Sequence, residues 1–119
     1  MHELGIVVNV LDQVDKIAEE YRAEKVLKVT MEVGEVSTIV PELFKDAFDW
    51  AKKRTLFSPE AELEMILIEG RTYCQSCKET YRTTEFGKKC PNCNSYETYL
   101  LTGDQVVIKD ISAVFSEED

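Results

Sequence analysis

Apolar residues along the first part of the chain recur at helical spacing. Leu4, Val7, Val8, Leu11, Val14, Ile17, Ala18 and Tyr21 follow one another at intervals of three and four, while Asn9, Asp12, Gln13, Asp15, Lys16, Glu19 and Glu20 fill the other positions. This predicts an amphipathic helix over 4–21. The period then changes to two. Leu27, Val29, Met31 and Val33 alternate with Lys28, Thr30 and Glu32, which predicts a strand with one wet face, ended by Gly34. Pro41 opens a second helix, with Leu43, Phe44, Ala47, Phe48 and Ala51 as its stripe and Lys52, Lys53 and Arg54 at its negative end. Ser58-Pro59 breaks the chain before a second strand over 61–69, in which Leu63, Met65 and Leu67 share a face.

From Arg71 to about Tyr99 neither period holds, and all of the cysteines lie there. Thr102-Gly103-Asp104 then forms a turn into a third strand over 105–114, and Ser116-Glu117-Glu118-Asp119 reads as a frayed acidic tail. Two strands alone make a marginal sheet, and the third follows the cysteine segment. The expected fold class is therefore α+β: two helices on a three-stranded mixed sheet, with a four-cysteine zinc-ribbon module inserted. The expected domains are 1–70 plus 100–119, discontinuous, and 71–99.

Cys74-Gln75-Ser76-Cys77 and Cys90-Pro91-Asn92-Cys93 are two Cys-x-x-Cys units with 12 residues between them. Two such pairs can close around one tetrahedral ion. A site of Cys74, Cys77, Cys90 and Cys93 leaves no open position for water, which points to structural rather than catalytic zinc. The segment has too little apolar content to fold unaided, so the metal supplies the missing free energy. Iron in a rubredoxin-like site would use the same sulfurs, but the ribbon-like spacing favours zinc. A thioredoxin-like redox pair lacks its βαβ setting. Tyr73, Tyr81, Phe86, Tyr96 and Tyr99 read as packing for a small core, and Lys78, Lys88 and Lys89 can offset the thiolate charge.

Charge narrows the function. The chain of 119 residues carries 14 Lys and Arg against 23 Asp and Glu, a net charge of -9. Nucleic-acid binding needs clustered basic residues and is not expected. No apolar run is long enough to span a bilayer, and the N-terminus lacks the features of a signal peptide, so no membrane role and a cytoplasmic location are expected. With one histidine, no nucleophile–base constellation and no phosphate loop, the chain does not read as an enzyme.

That histidine is His2. A lone histidine near a chain start is ordinarily an exposed polar residue, yet its surroundings are a chelate. The α-amine of Met1, the backbone nitrogen of His2 and its imidazole Nδ1 can bind one ion in adjacent five- and six-membered rings. Glu3 can complete the set with its backbone nitrogen or its carboxylate. A planar, nitrogen-rich set suits Ni²⁺ or Cu²⁺ better than Zn²⁺.

Met1-His2-Glu3-Leu4, Gly34-Glu35-Val36-Ser37 after the first strand, the two Cys-x-x-Cys units and Gly103-Asp104 before the last strand form an ordered set. With it the whole chain resembles the HypA family, the nickel-incorporation proteins of hydrogenase maturation. The resemblance implies a nickel metallochaperone. It would bind Ni²⁺ through Met1, His2 and Glu3 and zinc through Cys74, Cys77, Cys90 and Cys93. It would work with a HypB-type GTPase and pass nickel to the large subunit of [NiFe]-hydrogenase, and in some organisms serve urease maturation. Two departures stand out. Gly5 replaces the small polar residue more usual there, and Lys78 and Asn94 follow the Cys-x-x-Cys units where some members carry histidine. The alternative reading is a non-enzymatic zinc-ribbon adaptor that docks proteins and leaves His2 idle.

Overall fold

The computed structural model describes residues 2–116; of His2 it describes the backbone alone. The elements are α1 (His2–Glu20), β1 (Ala23–Gly34), α2 (Pro41–Ala51), β2 (Glu62–Ile68), β3 (Arg71–Cys74), β4 (Thr80–Arg82), the one-turn α3 (Thr83–Phe86), β5 (Thr98–Thr102) and β6 (Val106–Phe115). A 3-10 turn, Lys52–Arg54, extends α2. The strands form two sheets, ordered β2-β1-β6 and β4-β3-β5. The fold is mixed α+β, as the alternation of periods predicts, with a second sheet in the region where no period was visible.

The chain clusters into two compact units. The first comprises Met1–Met31, Ile39–Ile66 and Val107–Asp119, and the second Glu32–Thr38 and Leu67–Val106.

In the first unit α1 packs on α2. Val7, Val10, Leu11, Val14 and Ala18 of α1, Val26, Val29 and Met31 of β1, and Phe44, Phe48 and Ala51 of α2 are its buried core. Each helix buries a narrower stripe than its apolar residues mark out. Val8 and Ile17 on α1, Tyr21 in the turn just after it, and Leu43 and Trp50 on α2 are exposed, whereas Val10, outside the expected stripe, is buried. In β1 the inward alternation holds for Val29, Met31 and Val33 but not for Leu27. Val26 takes the inward place instead, and two exposed or half-exposed residues separate it from Val29. Leu67, near the end of β2, is also exposed.

The loop after α2 is fastened to α1 by one carboxylate. Asp15 Oδ2 accepts from the N–H groups of Leu56 (2.9 Å) and Phe57 (3.3 Å), and Oδ1 accepts from Ser58 Oγ (2.8 Å). Ser58 is fully buried, so its hydroxyl needs that partner. Beside it, Lys52 Nζ donates to the Ala61 carbonyl and Val26 N–H to that of Phe57. Asp15→Ala would strip three donors of their acceptor. It is expected to destabilise the unit by about 2–3 kcal/mol, read as a lowered urea midpoint at constant slope.

Candidate metal centres

The second unit is built around the cysteines. Cys74 ends β3, which pairs antiparallel with β4 on one side and β5 on the other. The two Cys-x-x-Cys turns are copies of one knuckle. In the first, Lys78 N–H donates to the Cys74 carbonyl (2.8 Å) and Cys74 N–H to that of Glu79 (2.9 Å). In the second, Asn94 N–H donates to the Cys90 carbonyl (2.8 Å) and Cys90 N–H to that of Ser95 (2.9 Å). Lys78 and Asn94 both have φ of 64°, the left-handed conformation that closes each turn. The two positions after the Cys-x-x-Cys units therefore serve as turn closers. Asparagine suits that conformation better than lysine.

These knuckles bring all four sulfurs together. Cys74 Sγ lies 3.6 Å from Cys93 Sγ, Cys77 Sγ lies 3.6 Å from Cys90 Sγ, and all four fall within 4.8 Å of one another. A tetrahedral ion bound at about 2.3 Å per sulfur needs edges of about 3.8 Å, so the donor set fits one four-coordinate metal. The separations are far beyond a disulfide bond of about 2.05 Å. Cys74 and Cys90 are buried, Cys77 is half-buried and Cys93 is exposed.

The thiols do not ionise alike. The Asn92 side chain and the Glu79 backbone hydrogen-bond Cys77 and, with Cys90 and Cys74, hold its thiol down at about 6, well below the ordinary thiol value. At Cys93 a hydrogen bond from the Ser95 backbone favours the thiolate. Burial and the neighbouring Cys74, Cys77 and Cys90 outweigh it and push the thiol up to about 12. One negative charge settles on Cys77 and opposes a second. A divalent cation at the centre reverses that order and makes four thiolates compatible.

The rest of the unit supports the cluster. Tyr81 packs with Cys74 and Cys90, meets Phe86 edge-on with centroids 6.0 Å apart, and donates from its hydroxyl to the Gly87 carbonyl (2.9 Å). Tyr73 and Tyr99 pair across β3 and β5 at 5.4 Å. Ser76 and Ser95, one from each knuckle, are joined by a 2.9 Å hydrogen bond. Packing accounts for Tyr81, whereas Tyr96 stands exposed beneath Lys89.

The sequence reading missed Asn92 as a thiolate donor, although its place inside the second Cys-x-x-Cys unit is the signal that could have found it. Glu35 stood out only as part of Gly34-Glu35-Val36-Ser37, with no role for its side chain. Glu35 Oε1 accepts from Gly70 N–H (3.0 Å) and Oε2 from the Arg82 guanidinium (2.9 Å), tying the segment after β1 to β3 and β4.

Of the N-terminal set, Met1 and the His2 side chain lie outside the described residues. His2 opens α1, so the nearby backbone nitrogens belong to the first turn, where no intrahelical acceptor exists. The Glu3 side chain is only 7% exposed, and its Oε2 accepts from Val40 N–H at 3.3 Å. Among the described residues, no helix is long and apolar enough to cross a membrane.

Comparison with known proteins places this arrangement. The family model "Hydrogenase/urease nickel incorporation, metallochaperone, hypA" matches residues 1–113. The chain belongs to the HypA family. It is 34% identical over 111 residues to the hydrogenase maturation factor HypA of Crocosphaera subtropica, covering 93% of this chain and 94% of that one. With the HypA of Dechloromonas aromatica it shares 32% over 111 residues, covering 93% and 97%. The solution structure of the Ni metallochaperone HypA from Helicobacter pylori superposes with a TM-score of 0.72 at 19% identity, covering 96% of this chain and 98% of that one. A second HypA solution structure gives 0.75 at 20% identity, covering 98% of both. These two likenesses establish the HypA fold. The family relation makes the chain a member of the hydrogenase and urease nickel-incorporation metallochaperones, whose relatives are named as maturation factors rather than enzymes.

Proposed function

We propose that the chain binds Ni²⁺ at its N-terminus and delivers it for maturation of [NiFe]-hydrogenase. The observation that carries this reading is the family match across 1–113, which begins at Met1-His2-Glu3 itself. In this reading the Met1 α-amine, the His2 backbone nitrogen and His2 Nδ1 hold the ion, and Glu3 supplies the fourth ligand. Such a chelate at a chain end can be presented to another protein and surrendered by ligand exchange. A caged site cannot be, which separates the nickel role from that of the cysteines.

Cys74, Cys77, Cys90 and Cys93 hold one Zn²⁺ as a structural ion. Four thiolates around it leave a net charge of about -2, and no ligand position stays open. Zinc organises the second unit and takes no part in transfer. The partners fitting this role are a HypB-type GTPase and the hydrogenase large subunit or urease maturation proteins, in the cytoplasm. Nucleic acid is not among them, given a net charge of -9.

Calorimetric titration of the untagged, zinc-loaded protein tests the assignment. About one Ni²⁺ per chain should bind at neutral pH, and His2→Ala should abolish that binding while leaving the zinc content unchanged. Nickel uptake by His2→Ala equal to that of the native chain would exclude the histidine chelate.

A further inference from the structure

α1 and α2 leave a trough open between them. The Glu3–Val40 hydrogen bond joins their starts, and Asp15 near the end of α1 holds Leu56 and Phe57 beyond the end of α2, so the helices run side by side in one direction. The first half of the trough is a hollow of about 380 Å³ between Leu4 of α1 and Leu43, Ala47 and Trp50 of α2, with Asp46 its one charged residue. The second half, about 340 Å³, lies between Asp12, Asp15, Lys16 and Glu19 of α1 and the loop residues Leu56 and Phe57. Val8 stands one helical turn from both Leu4 and Asp12 and joins the halves. All of these residues belong to the first unit. Val8, Leu43 and Trp50 are about half exposed, at 43%, 47% and 52%, and Leu56 is exposed to 77%. So many large apolar side chains on one surface mark an interaction site rather than chance exposure. The Arg54 guanidinium, 3.9 Å from the centroid of the Trp50 ring, steadies that ring before any partner arrives.

We infer that this trough docks one amphipathic helix of a partner protein, apolar at one end and carrying Lys or Arg at the other. The flanks of two helices offer no free backbone donors or acceptors. An extended segment lying there would leave its own backbone unpaired, whereas a helix satisfies itself. From Leu4 to Glu19 the trough is about 22 Å long, which matches a helix of about 15 residues. Charge fixes the rest. In the second half Asp12, Asp15 and Glu19 outnumber Lys16, so the part of the occupant lying there is basic. In the first half the occupant meets Leu4, Leu43 and Trp50 with apolar anchors spaced i, i+4 and i+7. A second copy of this chain is a poor fit. Its one long helix, α1, exposes Asp12, Glu19 and Glu20, and each chain carries a net charge of -9.

Trp50 is the only tryptophan of the chain and reports on its own surface. The probe is a synthetic helical peptide of about 15 residues without aromatic side chains, Leu at i, i+4 and i+7 in its first half and Lys along its second. A twin carries Glu in place of Lys. Each is titrated into the full-length, zinc-loaded protein while Trp50 emission is followed. The Lys peptide should move the emission to shorter wavelength and saturate, and the Glu twin should bind at least about tenfold more weakly. Val8→Ser combined with Leu43→Ser removes two exposed anchors without changing charge and should weaken the Lys peptide at least about tenfold. Asp12→Lys combined with Glu19→Lys alters only exposed positions and should reverse the preference toward the Glu twin. Amide shifts on binding should fall within 4–19 and 43–57. Equal affinity for the twins, undiminished binding in the double serine variant, or no emission change up to about 1 mM peptide would overturn the proposal. So would a concentration-dependent dimer that the double serine variant abolishes, since the trough would then belong to a second copy.

Discussion

Cys90→Ser is expected to empty the cysteine site and unfold the unit around it. Cys90 is fully buried and forms, with Cys74 and Tyr81, the small core of the second unit. A serine hydroxyl does not ionise to replace a thiolate, and three remaining sulfurs leave the ion open to water and chelators. Metal content should fall from about one ion per chain to nearly none, because binding and folding are coupled in so small a module. Amide resonances from 67–106 should collapse toward random-coil positions. Those of α1 and α2 should stay dispersed, since Leu11, Val14, Phe44 and Phe48 give the first unit a buried core of its own. Acid should have the same effect on the native chain. The bound ion favours thiolates, so the metal-bound thiols titrate below their ordinary value. The stability they lend is present near neutral pH and lost as pH falls and protons displace the metal. A Cys90→Ser protein that lacks metal yet keeps dispersed resonances over 67–106 would contradict this account.

Gly34→Ala is expected to cost at least about 4 kcal/mol, among the larger effects a single methyl can have. A Cβ at position 34 would lie 1.9 Å from the Gly103 carbonyl oxygen and 2.6 Å from Asp104 N, both backbone atoms without freedom to move aside. The same crossing holds Gly34 N–H on the Gln105 carbonyl (2.6 Å) and Val36 N–H on that of Gly103 (2.8 Å). Gly103 is constrained in turn by its φ of 113°, which residues with a side chain rarely adopt. Urea denaturation of the metal-loaded variant measures the loss. A change below about 1 kcal/mol would mean that the two segments do not approach as described.

The helices and the strands β1, β2 and β6 were legible because their apolar residues recur at helical or strand spacing. α1 and α2 lie within a few residues of the apolar stripes that predict them, and β6 (Val106–Phe115) is displaced by one residue from the expected 105–114. The errors concern individual side chains. Leu27, Leu43 and Leu67 are apolar but exposed, and Val10 is buried outside the expected stripe. A hydrophobic period marks a face without saying how wide a strip of it the neighbour covers. The second sheet was not legible at all. β3 and β4 are four and three residues long, too short to show a period, and their order comes from the cysteine knuckles and the Glu35–Arg82 pair rather than from a stripe. The cysteine spacing foretold which four sulfurs would meet. It did not foretell that Glu32–Thr38 groups with them, because Glu35 reaches Gly70 and Arg82 across 35 and 47 residues of sequence.

The central claim is the N-terminal nickel chelate, and the status of the Met1 amine tests it most directly. A chain extended by one or two residues before Met1 keeps His2, Glu3 and every cysteine but turns the amine into an amide. Forming the proposed site displaces protons from the amine and from backbone nitrogen, so binding should weaken in acid. The measurement is a nickel titration at neutral pH of the native and extended proteins side by side, with zinc content followed in both. The account predicts about one tightly bound Ni²⁺ in the native chain, a loss of about 100-fold or more in the extended one, and unchanged zinc. Equal nickel affinity in the two proteins would contradict the chelate.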